Sequence, residues 1–317
     1  MKRMKPYVSF SLLLVLLCSN FVSAQKRLFY LEFTVENNKG ELITGLKVEH
    51  IKLFDKDKSK EVKFFQNANK PMSVGFLVDV SPSMKNDRNS KISRIDWGRN
   101  AILDFIEKSH KDNEYFVISF SDRAVLLADF ASNIEVKKIV QQPTKFESRK
   151  GGLTSLFDAL TLSVEKAAKA KNDKRVLFVI TDGQDNQSSY KFSEIEQLVK
   201  ESNIGVNFMA LRDTDDPLIS FHAQAEEKMK RLTKISGGWA FASTKLEDCL
   251  SISSWLALVL QRQYRIGFEA DTSNQAGEWR NLRIDLHLSK DERKLFGRTV
   301  ITHRQGYYPY SVVLAEK

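Results

Sequence analysis

The sequence predicts a doubly wound α/β fold: a mainly parallel, six-stranded sheet inserted into a β-sandwich built from the N- and C-terminal segments. Three observations predict it. Between residues 73 and 260, short apolar runs alternate with segments of helical spacing, the pattern of a parallel sheet covered on both faces. One of those runs, Val176-Leu177-Phe178-Val179-Ile180, is apolar without a break, as a central buried strand is. Across residues 27–66, and again after residue 260, apolar and polar residues alternate with period two, which marks half-buried strands.

In chain order, the first element is a leader. Lys2, Arg3 and Lys5 precede an apolar stretch over 7–18, and Val22-Ser23-Ala24 fits a small-residue cleavage site before Gln25. The apolar stretch is too short to span a bilayer, which needs about 20 residues. The expectation is a signal peptide over 1–24 and an exported protein, periplasmic or extracellular, with no transmembrane segment in the mature chain. Cys18 raises a lipid anchor as a lesser option, because Leu17 stands where a small residue would be expected. Cleavage leaves Cys249 as the one cysteine, so an internal disulfide is excluded and the chain relies on its core. The spacing of Leu246, Cys249, Leu250 and Ser253 reads Cys249 as core.

Residues 25–70 form the first β segment. Phe29, Leu31, Phe33 and Val35 alternate with polar partners; Asn37-Asn38-Lys39-Gly40 is a turn; strands are expected at 50–54 and 62–65, with the charged run 55–60 as a hairpin loop. The α/β domain is expected over 71–260. Its strands read at 74–79, 115–120, 124–130, 175–181, 204–211 and 239–242, the third turning back as an antiparallel edge. Helical faces are drawn by Ile92, Ile95, Ile102, Phe105 and Ile106; by Leu153, Leu156, Phe157, Leu160, Val164 and Ala168; and by Phe221, Ala225, Met229, Leu232 and Ile235. Residues 261–317 return to strands, at 264–268, 282–288 and 298–303. Each set of terminal strands is too small to stand alone, so the two sets are expected to pair into one sandwich.

The formal charge is +9, or +6 once Lys2, Arg3 and Lys5 are gone (9 − 3). No dense basic block with interleaved aromatics accompanies it, which argues against a nucleic-acid partner. The five histidines lie in no metal-spaced or nucleophile-paired motif, and neither H-E-x-x-H nor G-x-S-x-G occurs.

The chemistry concentrates at strand ends. The run ending in Asp79-Val80-Ser81-Pro82-Ser83 places three hard oxygen groups where the first α/β strand stops. Gly151-Gly152-Leu153-Thr154 opens a helix, and the apolar run 176–180 leads into Thr181-Asp182-Gly183. Ligands of open α/β sheets sit beyond the carboxyl ends of the strands, where strand order reverses. Hydroxyl and carboxylate oxygens suit Mg2+. Taken singly, these are a turn, a capping threonine and a tight turn. Taken together, Asp79, Ser81, Ser83, Thr154 and Asp182 form a candidate divalent-cation site.

Those residues resemble the metal-ion-dependent adhesion site of von Willebrand factor type A domains, and the resemblance covers about residues 71–260. Outside it, Ile43-Thr44-Gly45-Leu46, Ile51-Lys52-Leu53-Phe54-Asp55, Tyr264-Arg265-Ile266-Gly267 and Gly306-Tyr307-Tyr308 are similar to a group of secreted bacterial proteins carrying a type A-related domain. The resemblance implies that Ser81, Ser83 and Thr154 contact Mg2+ (or Mn2+), that Asp79 and Asp182 act largely through water, and that an Asp or Glu carboxylate of a protein partner completes the shell. Pro82 departs from the glycine common in the family but removes no ligand oxygen. The function implied is non-enzymatic, adhesion-type protein binding. The alternatives are a metal-dependent hydrolase, for which no paired base is visible, and a scaffold with a vestigial metal site.

Three further groups stay open. Asp213, Asp215 and Asp216 are either a second cation site or a solvated helix start. Asp185 and Asn186 shape the rim or support the ligands. Tyr307, Tyr308 and Tyr310 are either edge-strand packing or an exposed contact patch.

Overall fold

The computed structural model describes residues 28–67, 69–85, 92–147, 153–183, 185–212, 219–270 and 277–309. The leader, Gly151, Gly152, the Asp213–Asp216 acids and Tyr310 lie outside the described residues.

The first strand, β1 (Leu28–Asn37), buries Phe29, Leu31, Phe33 and Val35 on one face. β2 (Ile51–Asp55), β3 (Lys58–Lys60) and β4 (Phe64–Asn67) complete the N-terminal set. The charged run 55–60 is not a loop. Lys56 and Asp57 alone make the turn, both at positive φ (46° and 62°), and β3 pairs back onto β2.

The α/β body then runs β5 (Ser73–Asp79), α1 (Arg94–Lys108), β6 (Glu114–Phe120), β7 (Ala124–Ala131), α2 (Asn133–Val140), α3 (Leu156–Ala167), β8 (Arg175–Thr181), α4 (Phe192–Glu201), β9 (Gly205–Leu211), α5 (Ile219–Ser236), β10 (Ala240–Ser243) and α6 (Leu246–Gln261). Its six strands lie in the order β10-β9-β8-β5-β6-β7, all neighbours parallel except the antiparallel edge strand β7. Val74, Phe76 and Val78 face α1 and α6, while Leu77 faces α3, giving a separate apolar layer on each side. Gly75 makes room for side chains of the adjacent strands: a Cβ there would lie 2.1 Å from the Phe116 ring of β6.

The helical faces hold with adjustments. Ile92 lies before α1 and is exposed, and Trp97 and Ala101 are buried instead. Leu153 precedes α3, and Ala168 is the exposed residue after it. Cys249 is buried in α6, and burial pushes its thiol up to about 11.

The chain ends with β11 (Tyr264–Glu269), β12 (Arg280–Leu286), α7 (Lys290–Phe296), β13 (Thr299–His303) and β14 (Gly306–Tyr307). These strands interleave with the N-terminal ones as two antiparallel four-stranded sheets, β13-β1-β11-β4 and β14-β12-β2-β3. One apolar cluster, including Phe33, Leu53, Ile266 and Ile284, fills the space between them, so the two halves close a sandwich as expected. Tyr307 and Tyr308 are buried, and the Tyr307 hydroxyl donates to Asp55 at 2.9 Å. That favours packing over a contact patch for these two.

The α/β body is inserted at one place. Asn67, where it leaves the sandwich, and Tyr264, where it returns, are cross-strand partners.

Candidate metal centre

Strand order fixes where a ligand would sit. β5 comes first in the α/β body; the chain adds β6 and β7 on one side, then crosses to add β8 on the other. The reversal lies between β5 and β8, and Asp79 and Asp182 stand at the carboxyl ends of those two strands. Val78 pairs with Ile180 in register, so the two chains leave the sheet at the same level.

Asp79 is fully buried. Its Oδ1 accepts the Ser81 N–H at 2.8 Å and its Oδ2 accepts the Thr181 hydroxyl at 2.6 Å. The chain then turns through a short 3-10 helix, Pro82–Met84, with Pro82 at its first position. Proline there gives up an N–H that the turn does not need. The turn brings the Ser81 and Ser83 hydroxyls to 3.0 Å from each other, and the buried Arg94 guanidinium donates to the Ser83 carbonyl from the start of α1. Ser83 is exposed and Ser81 is not, so this pair of oxygens spans from the interior to the surface.

On the other side, the Thr181 hydroxyl accepts the Gly183 N–H at 3.0 Å while donating to Asp79. Gly183 has φ +92°, and a Cβ there would meet Met229 Cε at 2.6 Å. That glycine makes the turn directly after Asp182, which is 4% exposed. Thr154 is buried just before α3. It is tied to the loop after Asp182: its N–H donates to Asn186 Oδ1 at 2.7 Å, and its carbonyl accepts the Asn186 and Gln187 N–H groups at 3.0 and 3.2 Å. Ser155 anchors the same loop to the Ser121 carbonyl through its N–H and hydroxyl, at 2.7 and 2.8 Å. Asp185 Oδ2 accepts the Phe157 N–H at 2.8 Å.

The structure thus joins Asp79, Ser81 and Ser83 directly and fastens Thr154 to the Asp182 loop. Asp185 and Asn186 act as supports, through the backbone of Phe157 and Thr154. Thr181, outside the five candidate ligands, holds Asp79 in place. Its signal was available as a threonine at a strand end just before an acid.

Burial, and then the neighbouring Asp182 carboxylate, push the Asp79 carboxyl up to about 7 against the hydrogen bonds that hold it down. Among the described residues, no group of three or more His, Cys, Asp or Glu side chains could hold an ion. A site here therefore draws on hydroxyls as well as acids. Two adjacent carboxylates and three hydroxyls are hard oxygen donors throughout, a set that fits Mg2+ or Mn2+.

Residues 74–184 match the family model of the von Willebrand factor type A domain. Over that stretch, about a third of the chain, the sequence is similar to the type A domain. Solved structures are similar to the chain in fold at low identity. The D319A mutant of the PilB minor pilin from Streptococcus sanguinis is 13% identical, with 61% of this chain and 62% of that chain covered and a TM-score of 0.50. An aerotolerance-related membrane protein from Bacteroides fragilis is 17% identical over 60% of this chain and 98% of its own (TM-score 0.48). Proximal thread matrix protein 1 from the mussel byssus, with a zinc-occupied MIDAS motif, is 16% identical over 64% and 48% (TM-score 0.49). No curated protein matches the chain. Among the described residues, no helix is long and apolar enough to cross a membrane.

Proposed function

We propose that this is a non-enzymatic, metal-ion-dependent protein-binding module of the adhesion type, acting outside the cytoplasm. Asp79, Ser81, Ser83, Thr154 and Asp182 are the residues that would hold Mg2+ (or Mn2+). The observation that carries the reading is the Asp79-centred cluster at the strand reversal, with the buried acid holding the Ser81 loop and the paired serine hydroxyls reaching the surface.

When bound, the ion supplies a Lewis-acidic position for an anionic ligand. The chain's own residues do the rest. Ser81, Ser83 and Thr154 offer neutral oxygens, which leave most of the ion's charge for a partner. Asp79 and Asp182 orient the hydroxyls and any ordered water. Arg94 and Asn186 fix the Ser83 and Thr154 backbones. A partner's Asp or Glu carboxylate is the natural occupant of the remaining position.

Thermal melts test this. Mg2+ or Mn2+ should raise the melting temperature of the parent chain, and Asp79→Ala should erase that rise while far-UV circular dichroism stays unchanged. In pull-downs from an envelope or extracellular fraction, capture should disappear in chelator. An undiminished metal response in Asp79→Ala would refute the metal assignment. Capture that persists in chelator would move the binding function to the sandwich.

A further inference from the structure

At the opposite end of the six-stranded sheet, where the α/β body meets the sandwich, lies a cleft of about 40 Å³. We propose that it binds a small tetrahedral oxyanion, inorganic phosphate or sulfate, held by Lys174, Arg304 and Gln263.

Lys174, at the start of β8, is 8% exposed, and Arg304, after β13, is 6% exposed; both line the cleft. Among the described residues, neither has a carboxylate within ion-pair distance. Lys174 donates to the Leu260 carbonyl in the last turn of α6. Arg304 donates to the Lys200 and Ser202 carbonyls at the end of α4, at 3.1 and 3.0 Å, and to Asn203 Oδ1 and the Gly306 carbonyl at 2.7 and 2.6 Å. Helix C-termini offset a cation in part, with about half a charge each. The Glu32 carboxylate, which lines the same cleft, acts on both cations from beyond ion-pair distance and offsets their charge in part, leaving a deficit.

Gln263, between α6 and β11, is 4% exposed and lines the same cleft. Its side-chain amide has no hydrogen-bond partner among the described residues. Its polar atoms stay reachable from the cleft, where the amide can donate to a bound oxyanion.

The charge balance selects an anion. Lys174, Arg175 and Arg304 line the cleft and Arg265 stands beside it, against the carboxylates of Glu32 and Asp173. Both acids are shared with Arg265, at 3.5 and 3.7 Å, and Asp173 is largely solvated. The volume matches an oxyanion, or on the order of three waters. Water would satisfy Gln263 but not the charge.

The test uses the full chain without divalent metal, melted against inorganic phosphate and, separately, sulfate at fixed ionic strength, with acetate as the control anion. A saturable rise in melting temperature is expected, because a ligand bound only by the folded state stabilises it in proportion to the logarithm of its concentration over Kd. Lys174→Met should weaken the apparent Kd at least about tenfold, as loss of a charge-assisted hydrogen bond does, and Gln263→Leu should weaken it without removing a charge. Asp79→Ala should keep the response, which separates this cleft from the metal centre. A rise that never saturates, is equal in parent and variants, and merely follows the general exclusion of these salts from protein surfaces would overturn the proposal. If Lys174→Met does not fold, an undiminished phosphate response in Gln263→Leu overturns it alone.

Discussion

Thr181 shows how much one hydroxyl can carry. It donates to the buried Asp79 carboxylate at 2.6 Å and accepts the Gly183 N–H at 3.0 Å. Replacement by valine keeps the shape and removes both bonds, leaving a buried acid and a buried amide short of partners. Thr181→Val is expected to lower stability by about 1–3 kcal/mol, read as a fall in the urea midpoint, and to shrink the melting-temperature rise in Mg2+. Thr181→Ser should recover most of both. Equal midpoints for parent and valine variant would mean that Asp79 is held by its other bonds. The strand-end positions of Asp79 and Asp182 were legible from sequence because apolar strands run straight into them. The role of Thr181 was not, since it depends on β5 and β8 being neighbours, a pairing of residues 102 positions apart. Asn186 was legible only as a rim residue, because its use of the Thr154 backbone arises where two loops meet.

At the scale of elements, the strands were read more easily than the helices. Strand 175–181 stands where its unbroken apolar run placed it, because burial on both faces leaves no room for polar residues. The helices α2, α4 and α7 are short, and their identity rests on capping rather than on a long apolar stripe. Ser132 with Glu135 and Ser289 with Glu292 are reciprocal capping boxes. The β2–β3 turn was misread for a related reason: Lys56 and Asp57 adopt left-handed backbone with no glycine to announce it. Left-handed conformation costs a side-chain-bearing residue about 1–2 kcal/mol, and less for aspartate. Asp57→Gly should therefore raise the urea midpoint by the equivalent of up to about 1 kcal/mol at an unchanged slope. The Lys56–Glu278 pair, at 2.5 Å, is left in place. A lowered midpoint would show that glycine's extra freedom in the unfolded chain outweighs the relief.

For the whole molecule, the sandwich could be anticipated because neither set of terminal strands could bury its apolar face alone. The junction could not, since it is made by single residues from distant segments. The inserted body hangs from two adjacent chain crossings, Asn67 and Tyr264, a geometry that by itself permits rocking. What opposes rocking is the segment after β13. Arg304 reaches the end of α4, the Gln305 N–H donates to the Ile235 carbonyl of α5 at 3.2 Å, and the Tyr308 hydroxyl meets Gln197 Oε1 at 3.1 Å. Gly237 admits this segment at close range, for a Cβ there would lie 2.4 Å from the Arg304 nitrogen. The sandwich and the α/β body should consequently unfold together. Arg304→Met removes the side-chain part of the clamp and leaves the Ser202 and Lys200 carbonyls without their donor. Calorimetry should show one transition for the parent and two for the variant, with the lower one lost by about 2–4 kcal/mol, the range for breaking a buried hydrogen-bonded charge network. A single transition at the parent temperature would place the coupling in the chain crossings themselves.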